Sequence, residues 1–311
     1  MIIDAHCHII DKDWCPDTFW TGIARSIAPT IKIKRGFELT PEQIIDKIFS
    51  RMMDPTGEKL IKEMDKAEID MAVLCVVDFG VIFENAKVSI EEQNQIHAEF
   101  QNKYPKRILA FASVDPNRPN AEKILRSCFE DLKMRGLKLH PATGFYPNSK
   151  ETYKLLDIAK EFKKPVLCHT GQAVLPFRSK YCDPIYLDDV CIDYPDLWIQ
   201  AAHMGFGWRH ELFHMGSTRP NLIVDFSGWQ VLAEENYVEF CSSLRLCLDE
   251  FTKERVLWGT DNPYLRGALS DKKWINMIKR LPTKAPEGIK FTQEEVDLML
   301  GGNAQRIFGI N

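Results

Sequence analysis

The sequence predicts a (β/α)8 barrel, an α/β fold in which eight parallel strands alternate with helices. Three observations predict it: eight short apolar runs rich in β-branched residues, amphipathic stretches between them, and no Gly-X-Gly-X-X-Gly turn after any run. The alternation favours a parallel sheet, and the missing phosphate-binding turn counts against a nucleotide-binding doubly wound sheet. The 311 residues exceed the roughly 250 typical of such barrels, so we expect a single domain over 1–311.

Each predicted element follows from its local pattern. The strands are expected to begin near Ile2 (IIDAHCH), Met71 (MAVLCVV), Ile108 (ILAFASV), Gly136 (GLKLH), Pro165 (PVLCHT), Leu197 (LWIQAAH), Leu222 (LIVDFS) and Val256 (VLWGTD). Segments such as GEKLIKEMDKAE and NAEKILRSCFEDLK carry apolar residues three and four positions apart, which predicts helices. Residues 10 to about 40 interrupt the alternation with a long connection. Such connections are lids or pocket walls, or simply pack on the barrel, and we expect a lid-like insertion around 10–40.

Composition and charge exclude several classes of function. The formal net charge of -4 gives no basic field, so nucleic acid and anionic membrane surfaces are not expected partners. No run of about 18 apolar residues is present, and the N-terminus lacks the pattern of a secretory signal, so we expect no membrane segment. None of the nine cysteines forms a Cys-X-X-Cys pair, which favours reduced thiols and a cytoplasmic protein.

Titratable residues concentrate where the predicted strands end, the face of a barrel that carries chemistry. They are His6, His8, Lys138, His140, His169, His203 and Asp261. Because side chains alternate along a strand, His6 and His8 should point the same way and Cys7 the other. A single strand-end histidine is more often a core residue, but imidazoles with one carboxylate and a position left for water form a typical catalytic metal site. We therefore predict a divalent metal centre.

Two further aspartates could support such a centre. Asp225 shares a direction with Ser227 on the seventh predicted strand, and Asp4 shares one with His6. A buried carboxylate in such a place either orients a ligand imidazole or bonds only to backbone, and both roles stay open.

The segment His210-Glu211-Leu212-Phe213-His214 matches the His-Glu-X-X-His signature of zinc proteases. It falls in the helix predicted after the sixth strand, and no convincing third ligand follows it. We expect a solvated helix face there. His97, in the segment SIEEQNQIHAEF, is predicted to be a surface histidine.

The segments IIDAHCH, GLKLHP, PVLCHTG, AAHMG, WGTDNP and GNAQRIFGI together resemble the amidohydrolase superfamily, in particular the branch similar to aminocarboxymuconate-semialdehyde decarboxylase. They span nearly the whole chain, in order and at barrel spacing. The resemblance implies that one divalent ion, zinc first and manganese as the alternative, is bound by four residues: His6, His8, His169 and Asp261. It implies that His203 and Asp261 are catalytic, with Asp261 taking the proton of metal-bound water.

The resemblance also bears on the pocket around the ion. In two-metal members a carboxylated lysine on the fourth strand bridges the ions, but here we favour one metal and treat Lys138 as a pocket cation. Lys138 and His140 are expected substrate contacts, and Arg178 and Arg209 could each hold a substrate carboxylate through two hydrogen bonds. A homodimer is a further expectation from the resemblance.

Three functions remain as hypotheses. The leading one is a metal-dependent hydrolase acting on a small carboxylate-bearing lactone, cyclic amide or ester. The alternative is a non-oxidative decarboxylase of an aromatic or unsaturated acid, and the second alternative is a non-catalytic barrel that binds a ligand. The first two use the same ligand set, so the sequence does not separate them.

Overall fold

The computed structural model describes residues 1–83 and 86–310, and within them the chain forms a (β/α)8 barrel. The strands are β1 (Ile3–Cys7), β2 (Met71–Cys75), β3 (Ile108–Ser113), β4 (Gly136–Leu139), β5 (Val166–Cys168), β6 (Ile199–Ala201), β7 (Leu222–Asp225) and β8 (Val256–Leu257). Each lies within a run that the sequence marked as a strand. The predicted fold class is confirmed.

Helices occupy the connections between the strands. They are α1 (Asp17–Arg35), α2 (Pro41–Lys47), α3 (Glu58–Ala67), α4 (Ile90–Lys103), α5 (Ala121–Glu130), α6 (Lys150–Glu161), α7 (Tyr186–Asp193), α8 (Arg209–Gly216), α9 (Gln230–Glu235), α10 (Tyr237–Phe251), α11 (Asp271–Lys279), α12 (Leu281–Lys284), α13 (Gln293–Asp297) and α14 (Asn303–Phe308). Across the described residues, no helix is long and apolar enough to traverse a bilayer.

The strands pair in chain order, each parallel to the next, from β1 to β8. Backbone hydrogen bonds also join the first strand to the segment that contains and follows the last. The amide of Ala5 donates to the Trp258 carbonyl at 3.0 Å, and the amide of Asp261 donates to the His6 carbonyl at 2.8 Å. This seam between β1 and the β8 segment nearly closes the barrel and brings Asp261 beside His6.

Alternate strand residues fill two apolar clusters. The larger cluster lies between the sheet and the helices, and the smaller one fills the barrel interior with side chains from several strands, among them Val73, Phe111, Leu167, Ile223 and Leu257. Phe308 of α14 joins the interior cluster and packs edge-on against Phe111, with ring centroids 5.7 Å apart. Burial on both faces explains why the strands read as continuous apolar runs.

A register irregularity in β1 directs its histidines. The pairing of β1 with β2 shifts between Asp4 and Cys7. Ala5 belongs to the interior cluster, whereas Cys7 packs in the outer cluster and its thiol donates to the Val73 carbonyl. Because two residues of the chain are accommodated where one would fit, His6 turns into the barrel instead of outward.

The segment around 10–40 is mostly helical and packs over the carboxyl ends of the strands. Phe19 of α1 is buried, and Gly22 lies so close to the loop after β5 that a Cβ there would come within 2.6 Å of Pro176. The Ser26 hydroxyl accepts a hydrogen bond from the Leu175 amide at 3.1 Å. Helix α1 is thereby docked on the loop after β5.

Candidate metal centre

The strand-end residues converge on one cavity at the carboxyl end of the barrel. It measures about 350 Å³, at the lower end of the range for small-molecule sites. Its floor is polar, and the residues there are His8, Lys138, His140, His169, His203 and Asp261. His6 adjoins this floor, with its Nε2 atom 2.8 Å from Lys138 Nζ.

Three of these residues form a compact donor group. One ligand atom each from His6, His203 and Asp261 lie within 4.8 Å of one another. His8 extends the group, since its Nε2 atom is 3.4 Å from Asp261 Oδ1, while His6 Nε2 is 3.8 Å from the same oxygen. His169 joins through His203, with 3.1 Å between its Nδ1 atom and His203 Nε2. The structure therefore gathers all the predicted strand-end histidines and the aspartate.

Hydrogen bonds fix which imidazole nitrogens carry protons. His8 Nδ1 is 2.8 Å from the Cys75 carbonyl, and His203 Nδ1 is 3.0 Å from the Ser227 carbonyl. A carbonyl only accepts, so both Nδ1 atoms donate and both Nε2 atoms keep a lone pair. His203 Nε2 then accepts from His169 Nδ1, which leaves His169 Nε2 as a lone pair. That Nε2 atom is buried and has no hydrogen-bond partner among the described residues.

Asp225 supports His6 and His203 from below. Its carboxylate accepts from Gln200 Nε2 at 2.7 Å and from the His203 amide at 3.2 Å, and it lies 3.4 Å from His6 Nδ1. Burial alone would raise the pKa of Asp225, but its contacts with His6, His203 and Ser227 outweigh burial and lower the pKa. Asp225 is therefore an ionised acceptor that holds the Nδ1 proton of His6, so the Nε2 atom of His6 keeps its lone pair and accepts from Lys138 Nζ at 2.8 Å.

Burial keeps the imidazoles of His6, His140 and His169 neutral. Burial, reinforced by Lys138, lowers the pKa of His6 to about 3, and burial lowers the pKa of His140 and His169 well below the usual value. Neutral imidazole is the form that binds metal. The unpartnered Nε2 of His169, the aligned lone pairs and the nearby Asp261 carboxylate together suit a divalent metal ion.

The backbone at His203, at its neighbour Met204 and at Asp261 adopts a left-handed conformation that residues other than glycine rarely take. The φ angles are 62° at His203, 46° at Met204 and 54° at Asp261. Each such residue costs on the order of 1–3 kcal/mol and persists only where its surroundings enforce it. At His203 the carbonyl accepts from Trp229 Nε1 at 2.6 Å and the amide donates to Asp225. Strain of this kind at a cluster of polar groups is typical of a functional site.

The structure places both predicted arginine contacts outside the cavity. Arg209, at the start of α8, forms an ion pair with Glu239 at 2.6 Å and does not line the cavity. Arg178 is exposed and lines a separate cleft with Lys180 and Tyr181. Both follow strand ends in sequence, but their loops turn them away from the barrel axis. His140 does line the cavity, with its Nδ1 atom unpartnered among the described residues and its ring 4.8 Å from that of His169.

The two remaining histidine predictions have different outcomes. His210 and His214 are exposed on α8, as expected for a solvated helix face. The prediction for His97 was wrong, because this residue is only 1% exposed. Its Nδ1 atom donates to the Gln93 carbonyl at 2.8 Å, and its ring packs 5.3 Å from that of Trp14. The insertion after β1 covers the face of α4 that would otherwise meet water.

Sequence reasoning also missed most of the cavity wall. Ile23 and Ile27 of α1 line it, as do Phe79, Phe177 and Tyr264. The spacing of four between Ile23 and Ile27 could have indicated one helix face directed at the cavity. No sequence signal marks the other three, which reach the cavity from separate loops.

Comparison with known proteins agrees with this architecture. A family model described as Amidohydrolase matches residues 3–310. Among solved structures, 5-carboxyvanillate decarboxylase from Sphingomonas paucimobilis is 17% identical with a TM-score of 0.66, covering 100% of this chain and 99% of that chain. A dihydroxybenzoic acid decarboxylase from Polaromonas sp. JS666, with bound manganese and the inhibitor 2-nitroresorcinol, is 16% identical with a TM-score of 0.66, covering 100% and 97%.

A hydrolase shares the same fold. A probable 2-pyrone-4,6-dicarboxylic acid hydrolase from Acinetobacter baumannii, with citric acid bound, is 15% identical with a TM-score of 0.65, covering 99% of each chain. At these identities the solved structures establish the fold, and the chemistry must be argued from the site itself.

Proposed function

The chain belongs to the amidohydrolase family, and on that premise we propose that it is a metal-dependent, non-oxidative decarboxylase of an aromatic or unsaturated carboxylic acid. One observation carries the proposal. Lys138 is the only lysine or arginine among the described residues that line the cavity, and it lies at the floor beside His6. A substrate carboxylate is therefore attracted to the reacting groups, as expected if the carboxylate is the group that leaves.

We propose that His6, His8, His169 and Asp261 hold one divalent ion. The Nε2 lone pair of His8 and the unpartnered His169 Nε2 support this set, and the His6 Nε2 lone pair, which accepts from Lys138 in the free site, completes it. Nitrogen-rich donors favour zinc, and the manganese in the Polaromonas relative makes manganese the alternative. When bound, such an ion is a Lewis acid that stabilises negative charge on substrate oxygens.

The reaction needs one proton at carbon. The bond between carbon and the carboxylate breaks, carbon dioxide leaves with the electron pair remaining on carbon, and a proton takes its place. Burial would raise the pKa of Asp261, but His203, His8 and His6 lower it in the free site. A bound ion would lower that pKa further, whereas a substrate carboxylate beside Asp261 raises it, and we propose that the carboxylate prevails and Asp261 takes up the proton from solvent. We assign proton delivery to Asp261, and we assign hydrogen bonding of a substrate oxygen to His203 in its imidazolium form, since the neutral ring has no N–H left to donate.

The hydrolase hypothesis takes second place for a structural reason. In a carboxylate-bearing lactone or ester, the carboxylate is not the group that reacts. A hydrolase therefore needs a cation that binds this carboxylate away from the bond that is cleaved. Arg178 and Arg209, the residues expected to supply it, lie outside the cavity. Either activity keeps the chain among the metal-dependent enzymes of its family. A non-catalytic barrel is the weakest hypothesis, because every predicted ligand position is filled.

The reaction can be tested on protein loaded with zinc or with manganese. A panel of hydroxybenzoates and lactones is assayed for carbon dioxide release and for acid release in parallel, with Asp261→Asn as the background control. We expect carbon dioxide from at least one hydroxybenzoate and no hydrolysis of the lactones. Acid release from a lactone without carbon dioxide from any hydroxybenzoate would refute the decarboxylase proposal and restore the hydrolase.

We further propose that 1–311 is one domain in which residues around 10–40 form a lid. The docking of α1 on the loop after β5 and its contribution to the cavity wall support this. The homodimer and the cytoplasmic location stay predictions.

A further inference from the structure

The upper wall of the cavity differs sharply from its floor. Above the floor, the side chains of the first connection that face the cavity are apolar. Beyond the buried Phe19, they are Ile23 and Ile27 of α1, Ile48, and Phe49 and Met52 of the short 3-10 helix Phe49–Met52. Phe49 is buried, and the other four are half-buried. This wall, which we call the apolar wall, lies between β1 and β2 in sequence and belongs to no strand.

Charge in the cavity is confined to the floor. Among the described lining residues other than histidine, the charged side chains are Lys138 and Asp261, and the other polar side chains are the neutral amide of Gln172 and the phenol of Tyr264, whose ring packs against His8 at the floor. The cations nearest in sequence to the apolar wall, Arg25, Lys47 and Arg51, are exposed and do not line the cavity. Arg178 and Lys180 line a different cleft. A ligand that reaches the apolar wall therefore meets no group able to pair with a charge.

The separation of polarity restricts what can bind. An unpaired carboxylate buried against isoleucine and methionine side chains loses its hydration without compensation, which is strongly unfavourable. An apolar substituent in the same place gains, by about fourfold in affinity for each methylene removed from water. The cavity of about 350 Å³ leaves room for one ring and a short substituent.

We propose that the substrate is a monocarboxylic acid whose anionic end meets the floor and whose apolar substituent fills the space against the apolar wall. The inference rests on the proposed function for the orientation of the acid group. Ile27 and Met52 are then specificity-determining residues that select against diacids. The solved diacid hydrolase and carboxyvanillate decarboxylase share the fold but need not share this selection.

Direct binding tests the proposal without relying on turnover. The probes are benzoate, 4-propylbenzoate and benzene-1,4-dicarboxylate, titrated by calorimetry into the metal-loaded protein. We expect 4-propylbenzoate to bind at least about tenfold tighter than benzoate, since the two methylenes and the methyl of the propyl group are partly buried. We expect the dicarboxylate to bind at least about tenfold weaker than benzoate. Equal or tighter binding of the dicarboxylate relative to 4-propylbenzoate overturns the proposal.

A wall substitution should reverse this preference. In Ile27→Arg the new guanidinium pairs with the second carboxylate, so the dicarboxylate gains at least about tenfold and 4-propylbenzoate loses a similar factor. Met52→Arg tests the same apolar wall from the short 3-10 helix if Ile27→Arg does not fold. The matched control is Ile33→Arg on the same helix, because Ile33 is 82% exposed and lies outside the cavity. A preference unchanged in every folded wall variant contradicts the proposal.

The outcomes also separate this inference from the proposed reaction. If 4-propylbenzoate binds as expected but no hydroxybenzoate with an apolar substituent releases carbon dioxide, the decarboxylase proposal fails and the apolar wall stands. If carbon dioxide is released from diacids faster than from apolar monoacids, the reaction stands and the wall proposal fails.

Discussion

Asp225→Asn is the sharpest test of how the candidate metal centre is built. The substitution keeps the size of the side chain and removes the negative charge that lies 3.4 Å from His6 Nδ1. An amide also presents only one oxygen, whereas the carboxylate accepts from Gln200, from Ser227 and from the His203 amide with both oxygens. The change therefore loosens the orientation of His6 and His203 without opening a cavity.

The expected loss follows from that distance. A unit charge 3.4 Å from the carboxylate interacts by about 5 kcal/mol at an effective dielectric constant of 20. Only part of a bound ion's charge is transferred to the imidazole. We therefore expect Asp225→Asn to lose about 1.4–2.7 kcal/mol of metal-binding free energy, equal to a tenfold to hundredfold weaker metal affinity. Turnover at saturating metal should fall as well, because the uncharged side chain holds the backbone N–H of His203 less firmly than the carboxylate does.

The matched control is Asp4→Asn. Asp4 is equally buried and lies in the same strand as His6, but burial raises its pKa to about 8, so it is a neutral acid at pH 7. Its partners are Thr260 and the His6 amide, and an amide side chain replaces a neutral acid with little change in charge. Competition with a metal-sensitive dye gives the dissociation constant of each variant. Equal affinities in Asp225→Asn and in the unmodified protein would refute the reasoning.

Four other variants test separate parts of the structure. His169→Ala should lose metal by more than about a hundredfold, measured by elemental analysis after dialysis, and retained metal would remove it from the ligand set. His203→Ala should keep metal while turnover falls about 10²–10⁴-fold; if metal is lost in step, His203 is itself a ligand. His97 should make the fold acid-sensitive: burial lowers its pKa from 6.5 to about 4, so the unfolded chain takes the proton first as pH falls through that window. The free energy of unfolding then falls by about 3 kcal/mol as the pH drops from 6.5 to 4, and this contribution is intact above pH 7. In His97→Gln, the urea midpoint should depend less on pH over the same range. The exposed His210→Ala should change neither turnover nor stability, and an inactive but folded variant would show that the His-Glu-X-X-His segment matters.

The order of the strands was predictable from sequence because each strand is buried on both faces. Runs such as MAVLCVV and LIVDFS need no alternation to be recognised, and the helices between them have clear apolar faces. The strand-end histidines were predictable for the same reason, since the barrel places every carboxyl end on one face. What alternation could not reveal is the register shift between Asp4 and Cys7 that directs His6 inward.

Contacts between elements far apart in sequence were not predictable. His97 has the pattern of a surface residue on α4, and its burial depends on Trp14, which lies 83 positions earlier in an irregular connection. Arg209 was expected to face the ligand because it follows a strand end, but Glu239 on another helix takes its guanidinium. In both cases the deciding partner comes from a segment whose position no local pattern encodes.

The seam between β1 and the β8 segment also sets when the site can exist during synthesis. His6 and His8 leave the ribosome earlier than Asp261, which lies 253 positions after His8. Until the Asp261 amide bonds to the His6 carbonyl, the earliest and latest donors are not side by side. Metal binding by the complete ligand set thus requires that the β8 segment pairs with β1. A nascent chain halted before β8 would contain the histidines but not the Asp261 ligand.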